Sequence, residues 1–215
     1  MKKTKNFFAA MLIMVLSGCA AYYPQAVDIP LIKEKGDLKV DAGGFVAPSV
    51  QGEGAMVGGH STFSYGITDI LAGQMYVSFD FAGRTHFQIA PGVFKGFENK
   101  SVIEFYGGYG FGRAFWDDNF YQLVFNQFNV GKVGKNFEYG LGLKGGYIFT
   151  YENEFTNKVH QTNGWIAEPS AMIRLGGEKV KFKTQINYLW TKTISDNYYL
   201  PLSVSMGINI YFNTF

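Results

Sequence analysis

The chain has 215 residues, of which 18% are aromatic, only 17% are charged and 27 are glycine. Soluble domains average roughly 25% charged residues; an excess of glycine, Phe and Tyr disfavours helix and suits strands and tight turns. Lys2, Lys3 and Lys5 precede the first acidic residue, so from residue 19 onward 16 basic face 17 acidic side chains, which leaves no basic field for nucleic acid.

Residues 1–18 read as a secretory signal peptide: three lysines, an apolar run from Phe7 to Leu16, then small residues. The run is too short for a transmembrane helix, which needs about 20 apolar residues. Leu16-Ser17-Gly18-Cys19 resembles the bacterial lipobox. That resemblance implies cleavage before Cys19 and lipidation of its sulfur, with palmitate-type acyl chains. Cys19 is the only cysteine, so an intrachain disulfide and multi-thiolate metal sites are excluded. Residues 19–37 carry Pro24 and Pro30 and no sustained period, and are expected to be a lipidated tether ahead of a domain over 38–215.

Beyond the tether, period 2 dominates. It is clearest at the C-terminus, where Leu200, Leu202, Val204, Met206, Ile208, Ile210 and Phe212 alternate with Ser203, Ser205, Gly207 and Asn209. Followed through the chain, the alternation predicts ten strands, near 38–47, 55–65, 70–81, 85–96, 101–114, 119–132, 137–151, 164–175, 180–191 and 199–213. They are long enough to cross a bilayer at a tilt of about 45°, which takes roughly 9–11 residues. The 119–132 stretch fits either parity. Pro91 and Pro169 fall inside two of the strands, where each suggests a bulge or a misplaced boundary.

The connections alternate in kind. GITD (66–69), FENKS (97–101), GKN (134–136) and GGEK (176–179) are tight turns, whereas FWDDN (115–119) and ENEFTNKVHQTN (152–163) are longer or more irregular. Short periplasmic turns and longer outer loops are the asymmetry of outer-membrane barrels. Trp116, Trp165, Trp190 and Tyr198 fall at the long-loop ends, as an interfacial aromatic girdle would. An even strand count puts both termini on the short-turn side, so acyl chains on Cys19 are expected in the inner leaflet beside the barrel.

The alternative to an outward apolar face is a soluble lipid-binding barrel with that face inside. Seven large apolar residues on a single strand would overfill a small barrel, which favours the membrane reading. The opposite face then fills the lumen, and it carries Lys39, Lys144, Arg174, Lys181 and Lys183 against Asp41, Asp80, Glu104, Glu138 and Glu168. Balanced charge is what a confined interior requires, because an unpaired buried charge is costly.

The stretches PLIKEKGDLKV (30–40), TFSYGITDILAGQMYVSF (62–79) and EFYGGYGFGR (104–113) resemble small lipobox-bearing outer-membrane β-barrel proteins of Gram-negative bacteria. The resemblance implies an all-β, antiparallel up-and-down transmembrane barrel of about ten strands, with eight as the smaller option. It implies outer-membrane lipid, the barrel-assembly machinery and the lipoprotein-sorting machinery as partners, and a surface ligand or envelope protein left unnamed. Its motifs are architectural and carry no chemistry. Such barrels usually end in an aromatic residue; Phe215 matches in type but is out of phase with Phe212, Ile210 and Ile208.

No constellation argues for an enzyme. His60 and His86 fall on lumen parity. Asp117, Asp118 and His160 fit a rim protease only by forcing, since solvated loop residues explain them equally well. Ser61 neighbours His60, but adjacent strand residues point to opposite faces, so a lipid-acting Ser/His pair fails on geometry. GGYGFG (107–112) has no helix after it and lacks the phosphate-cradle context. No metal cluster and no nucleotide fingerprint is present, so neither metal nor cofactor is expected. The role expected is structural, surface-interactive or that of a narrow conduit.

Overall fold

The computed structural model describes residues 27–48, 55–81, 83–114, 120–151, 163–193, 198–199 and 202–213. The signal peptide, Cys19, Trp116, Asp117, Asp118, His160 and Phe215 lie outside the described residues.

The strands are β1 (Asp37–Pro48), β2 (Ala55–Gly66), β3 (Leu71–Asp80), β4 (Arg84–Gly96), β5 (Ser101–Ala114), β6 (Phe120–Lys132), β7 (Phe137–Tyr151), β8 (Gly164–Gly176), β9 (Val180–Tyr188), β10 (Trp190–Thr193), β11 (Tyr198–Tyr199) and β12 (Leu202–Asn213). Each pairs antiparallel with its neighbour, and β12 pairs with both β9 and β1, which closes the sheet. β10 continues β9 past Leu189 and β11 lies alongside β10, so the segments form ten staves. The protein is a closed ten-stranded antiparallel barrel; the eight-stranded option is wrong.

The prolines interrupt ladders without shifting them. Ile89 pairs with Tyr109 and Gly92 with Tyr106, so the register is the same on both sides of the gap at Ala90–Pro91. β8 likewise keeps its register while it loses pairing opposite Tyr188–Leu189, beside Pro169. Proline has no N–H to give to the ladder. Neither a bulge nor a wrong boundary is present, contrary to the sequence expectation.

The apolar face points outward. Phe182, Met206 and Leu141 are 68%, 64% and 58% exposed, and they belong to a belt that includes Phe63, Val77, Phe105, Phe128, Ile173, Ile208 and Phe212. In water that belt would be one continuous aggregation-prone patch; in a bilayer it meets lipid, and ring closure leaves no sheet edge unpaired. The soluble-barrel alternative is thereby overturned, because it needs this face inside.

The interior has two halves. Near the short turns ionic and polar groups lie among buried apolar ones, Ile32, Phe94, Val102 and Tyr106. Toward the long-loop end it is packed with Tyr121, Leu123, Phe125, Ile148, Ile166 and Leu189, all buried. The parity of β6 is resolved by this: Tyr121, Leu123 and Phe125 face in while Val124, Phe128 and Val130 face out. The glycines of the 107–112 stretch serve the same packing, since a Cβ at Gly108 would strike the ring of Phe125 and one at Gly112 the ring of Tyr121.

Candidate functional site

The notable feature of the lumen is its occupant. Residues 27–32 of the expected tether do not lie outside the barrel. Val27, Ile29, Leu31 and Ile32 are 0–1% exposed, and residues 27–32 run inside the staves as a plug. Gly36, at φ 84°, turns the chain at the short-turn rim, where its N–H donates to the Gly66 carbonyl (2.8 Å). Glycine adopts that left-handed conformation without strain.

The plug backbone has no sheet partner, and lumen side chains bond the carbonyls of residues 27–31 and the N–H groups of Val27 and Ile32. Ile32 N–H donates to Glu104 Oε1 (2.6 Å), and Lys39 Nζ donates to the Leu31 carbonyl (2.6 Å). Arg174 donates to the Ile29 carbonyl (2.7 Å) and the Pro30 carbonyl (3.4 Å). Gln127 donates to the Asp28 carbonyl, Gln185 to the Val27 carbonyl (2.5 Å), and Val27 N–H reaches Asn187 Oδ1 (3.4 Å). Ser64 adds a bond to the Asp28 carboxylate (2.8 Å). Leu31 sits at φ 55°, which costs a residue with a Cβ about 1–2 kcal/mol. The bonds from Lys39 to its carbonyl and from the Ile32 N–H to Glu104 fix the peptide that follows it and hold it there.

Glycines on β6 and β7 make room for the apolar plug side chains. A Cβ at Gly140 would lie 2.9 Å from a methyl of Ile29, one at Gly142 3.1 Å from Ile29, and one at Gly131 2.8 Å from Leu31. Larger residues at these positions would push the plug aside.

Around the plug, the charged residues marked on lumen parity are all buried. Glu138 accepts from Arg174 (3.2 Å), Lys181 (3.0 Å) and the Tyr211 hydroxyl (2.5 Å). Lys183 lies 2.5 Å from Asp41, which also has His60 at 2.9 Å and Asn209 at 3.3 Å. Lys144 pairs with Glu168 (3.1 Å). Asp80 serves a different purpose: its carboxylate accepts the Arg84 N–H (2.9 Å) and closes the β3–β4 turn. Asp28, which sequence parity missed because it is not on a strand, adds a sixth carboxylate to the five buried cations among the described residues. No signal in an aperiodic, proline-containing stretch marks it as lumenal.

Farther up, rings stack around the wall. His60 lies 6.1 Å from Tyr76, Tyr76 5.9 Å from His86, and His86 5.4 Å from Tyr121, to which it is also hydrogen-bonded. Both described histidines are thus part of the lumen filling. Ser61 is turned away, with its hydroxyl on the Asp41 carbonyl (3.1 Å). Among the described residues no group of His, Asp and Glu could hold a metal ion. Of the girdle residues, Trp165 (64% exposed) and Trp190 (44%) stand outward near the long-loop end, with Tyr147 packed edge-on to Trp165 at 5.0 Å.

No family model matches the sequence, and no curated protein matches it. Solved structures of similar architecture include Neisserial surface protein A (11% identity, TM-score 0.43, covering 82% of this chain and 96% of that one). OprG from Pseudomonas aeruginosa (13%, 0.44, 85% and 98%) and Ail of Yersinia pestis (9%, 0.32, 83% and 99%) are further examples. The ladder pairings and the outward apolar belt carry the assignment as a membrane-spanning barrel.

Proposed function

We propose that the protein is an outer-membrane β-barrel lipoprotein of the Gram-negative envelope, acylated at Cys19, with a structural and surface-interacting role. Its staves hold it in lipid and its outer loops meet a surface ligand or an envelope partner. It acts as a closed body, neither pore nor enzyme.

The observation that carries this reading is the filled lumen. A conduit requires a continuous wet path, and a barrel of this size has little interior beyond its own side chains. Here residues 27–32 take up the lower lumen as well. A vestibule of about 800 Å³ opens at the short-turn end, lined by Lys33, Lys100, Lys135 and Glu178, and it ends on Lys39, Glu138, Lys181 and Tyr211. That floor is the ion-paired cluster itself. The buried histidines, with ring and amide partners, support a packing role over a catalytic one.

Conductance of the purified full chain in planar bilayers tests the closed-body reading. The result expected is a silent membrane; sustained unitary steps from the folded protein overturn it. Mass spectrometry of the mature N-terminal peptide tests the anchor: the expected result is diacylglyceryl on Cys19, and an unmodified thiol removes the lipoprotein part.

A further inference from the structure

The vestibule at the short-turn mouth carries an excess of positive charge. Six lysines line it, Lys33, Lys39, Lys100, Lys135, Lys179 and Lys181, against four carboxylates, Glu34, Asp37, Glu138 and Glu178. Each carboxylate is committed. Asp37 accepts the backbone N–H groups of Lys33 (2.8 Å) and Glu34 (3.3 Å), Glu34 pairs with Lys33 (3.3 Å), and Glu178 pairs with Lys135 (3.0 Å). Glu138 serves Arg174, Lys181 and Tyr211 at once. Among the described residues, Lys39, Lys100 and Lys179 have no ion-pair partner. The imbalance is sharpest at the floor, where Lys39 is only 4% exposed. One of its N–H groups donates to the Leu31 carbonyl (2.6 Å), and its ammonium lies 4.9 Å from the centre of the Tyr211 ring, which Lys181 shares at 4.3 Å. Two of its three donors have no partner among the described residues.

We propose that the vestibule is a binding site for a phosphate-bearing anion, which settles on the Lys39 ammonium at the floor and is gripped at the rim by Lys100 and Lys179. The site needs neither acylation of Cys19 nor a conducting lumen.

The chemistry of the floor calls for a counter-charge. Lys39, Lys181 and Arg174 gather around Tyr211 and a single carboxylate, Glu138. Glu104, the next carboxylate inward, is taken up by the Ile32 N–H and Asn129. A buried cation in excess is costly unless an anion reaches it, and the open side of this cluster is the vestibule, about 800 Å³ in volume. Phosphate suits the donors better than carboxylate does. The lining offers ammonium groups and no guanidinium, since the fork of Arg174 is turned to Glu138 and to the plug carbonyls. Lysine acts as a point charge on a multivalent tetrahedral anion, whereas a planar carboxylate favours the fork of arginine. Lys100 and Lys179 stand on separate turns, between β4 and β5 and between β8 and β9, so their long side chains approach a ligand from different sides of the mouth. Val180, Ile210 and Phe212 of the outward apolar belt also line the vestibule. The rim therefore adjoins the hydrocarbon, and a phosphate carried on a lipid headgroup has access as well as a free one.

The test is isothermal titration calorimetry of the full chain, folded in an uncharged detergent and a phosphate-free buffer, with two probes: inorganic phosphate and dihexanoyl phosphatidylglycerol. Saturable binding of at least one is expected, weakening as sodium chloride is added, and the probe that binds more tightly marks the source. Lys100→Gln combined with Lys179→Gln removes no described side-chain bond of the fold and should weaken binding about tenfold or more. Lys39→Met should weaken it further; if that variant does not migrate as a folded barrel, the rim pair decides alone. Lys95→Gln combined with Lys132→Gln, at the same end of the barrel but outside the lining, should leave the affinity unchanged. Failure of both probes to saturate at millimolar concentration overturns the proposal. So does an unchanged affinity in the rim pair, or an equal loss in the pair outside the lining, which would mark general surface charge instead of a site.

Discussion

Replacing Arg174 with methionine removes the group that ties the plug to the barrel wall. The guanidinium is 0% exposed, with bonds of 2.7 Å to the Ile29 carbonyl, 3.4 Å to Pro30 and 3.2 Å to Glu138. A hydrogen bond to a charged group contributes about 1.5–3 kcal/mol, and the short bond to Ile29 belongs at the upper end of that range. Removing one member of a buried ion pair costs about 3–5 kcal/mol when the partner is stranded. Glu138 is not stranded, because Lys181 and Tyr211 still reach it. The larger figure is therefore a ceiling, and the loss expected is about 3 kcal/mol. Urea unfolding of the protein refolded into lipid vesicles measures it, with the m-value unchanged if the barrel itself is intact. Combined with Glu138→Gln, the two changes should cost less than their sum, since they share one interaction. A loss below about 1 kcal/mol, or strict additivity, refutes the view that the ionic cluster clamps the plug.

Two further outcomes follow from the same geometry. Gly140→Leu places a side chain where Ile29 packs and should destabilise the folded barrel by about 1–3 kcal/mol; Ile29→Ala alone costs about 2–5 kcal/mol, and the double variant in vesicle unfolding should cost less than the two together. Cys19→Ser should slow delivery to the outer membrane, measured by pulse-chase fractionation, yet leave delivered protein with unchanged heat-modifiable migration.

Strand positions were legible because lipid outside and polar filling inside impose a strict period of 2 on residues such as those from Leu202 to Phe212. The same alternation put Lys144, Glu168, Arg174, Lys181 and Lys183 on the inner face, where the structure has them buried. Two things were hidden. The β6 parity was ambiguous because the upper lumen is itself apolar, so both faces of that strand carry large side chains. The plug was hidden because a segment whose backbone bonds go to side chains has no periodic signature; Val27-Asp28-Ile29-Pro30 looks like a linker until Arg174, Gln127 and Gln185 are seen to hold it. The glycines at 131, 140 and 142 were a faint clue. The room that their missing side chains leave is taken by Ile29 and Leu31.

The central claim is that the chain's own N-terminal segment fills the lower lumen, and a single cross-link tests it. A Cβ on residue 140 would lie 2.9 Å from a methyl of Ile29, a spacing within the reach of a disulfide. The protein carrying Ile29→Cys, Gly140→Cys and Cys19→Ser, inserted in membranes and oxidised, is expected to form that bond quantitatively, visible as a mobility shift after denaturation without reductant. A folded, membrane-inserted barrel in which the two thiols stay free would contradict the account.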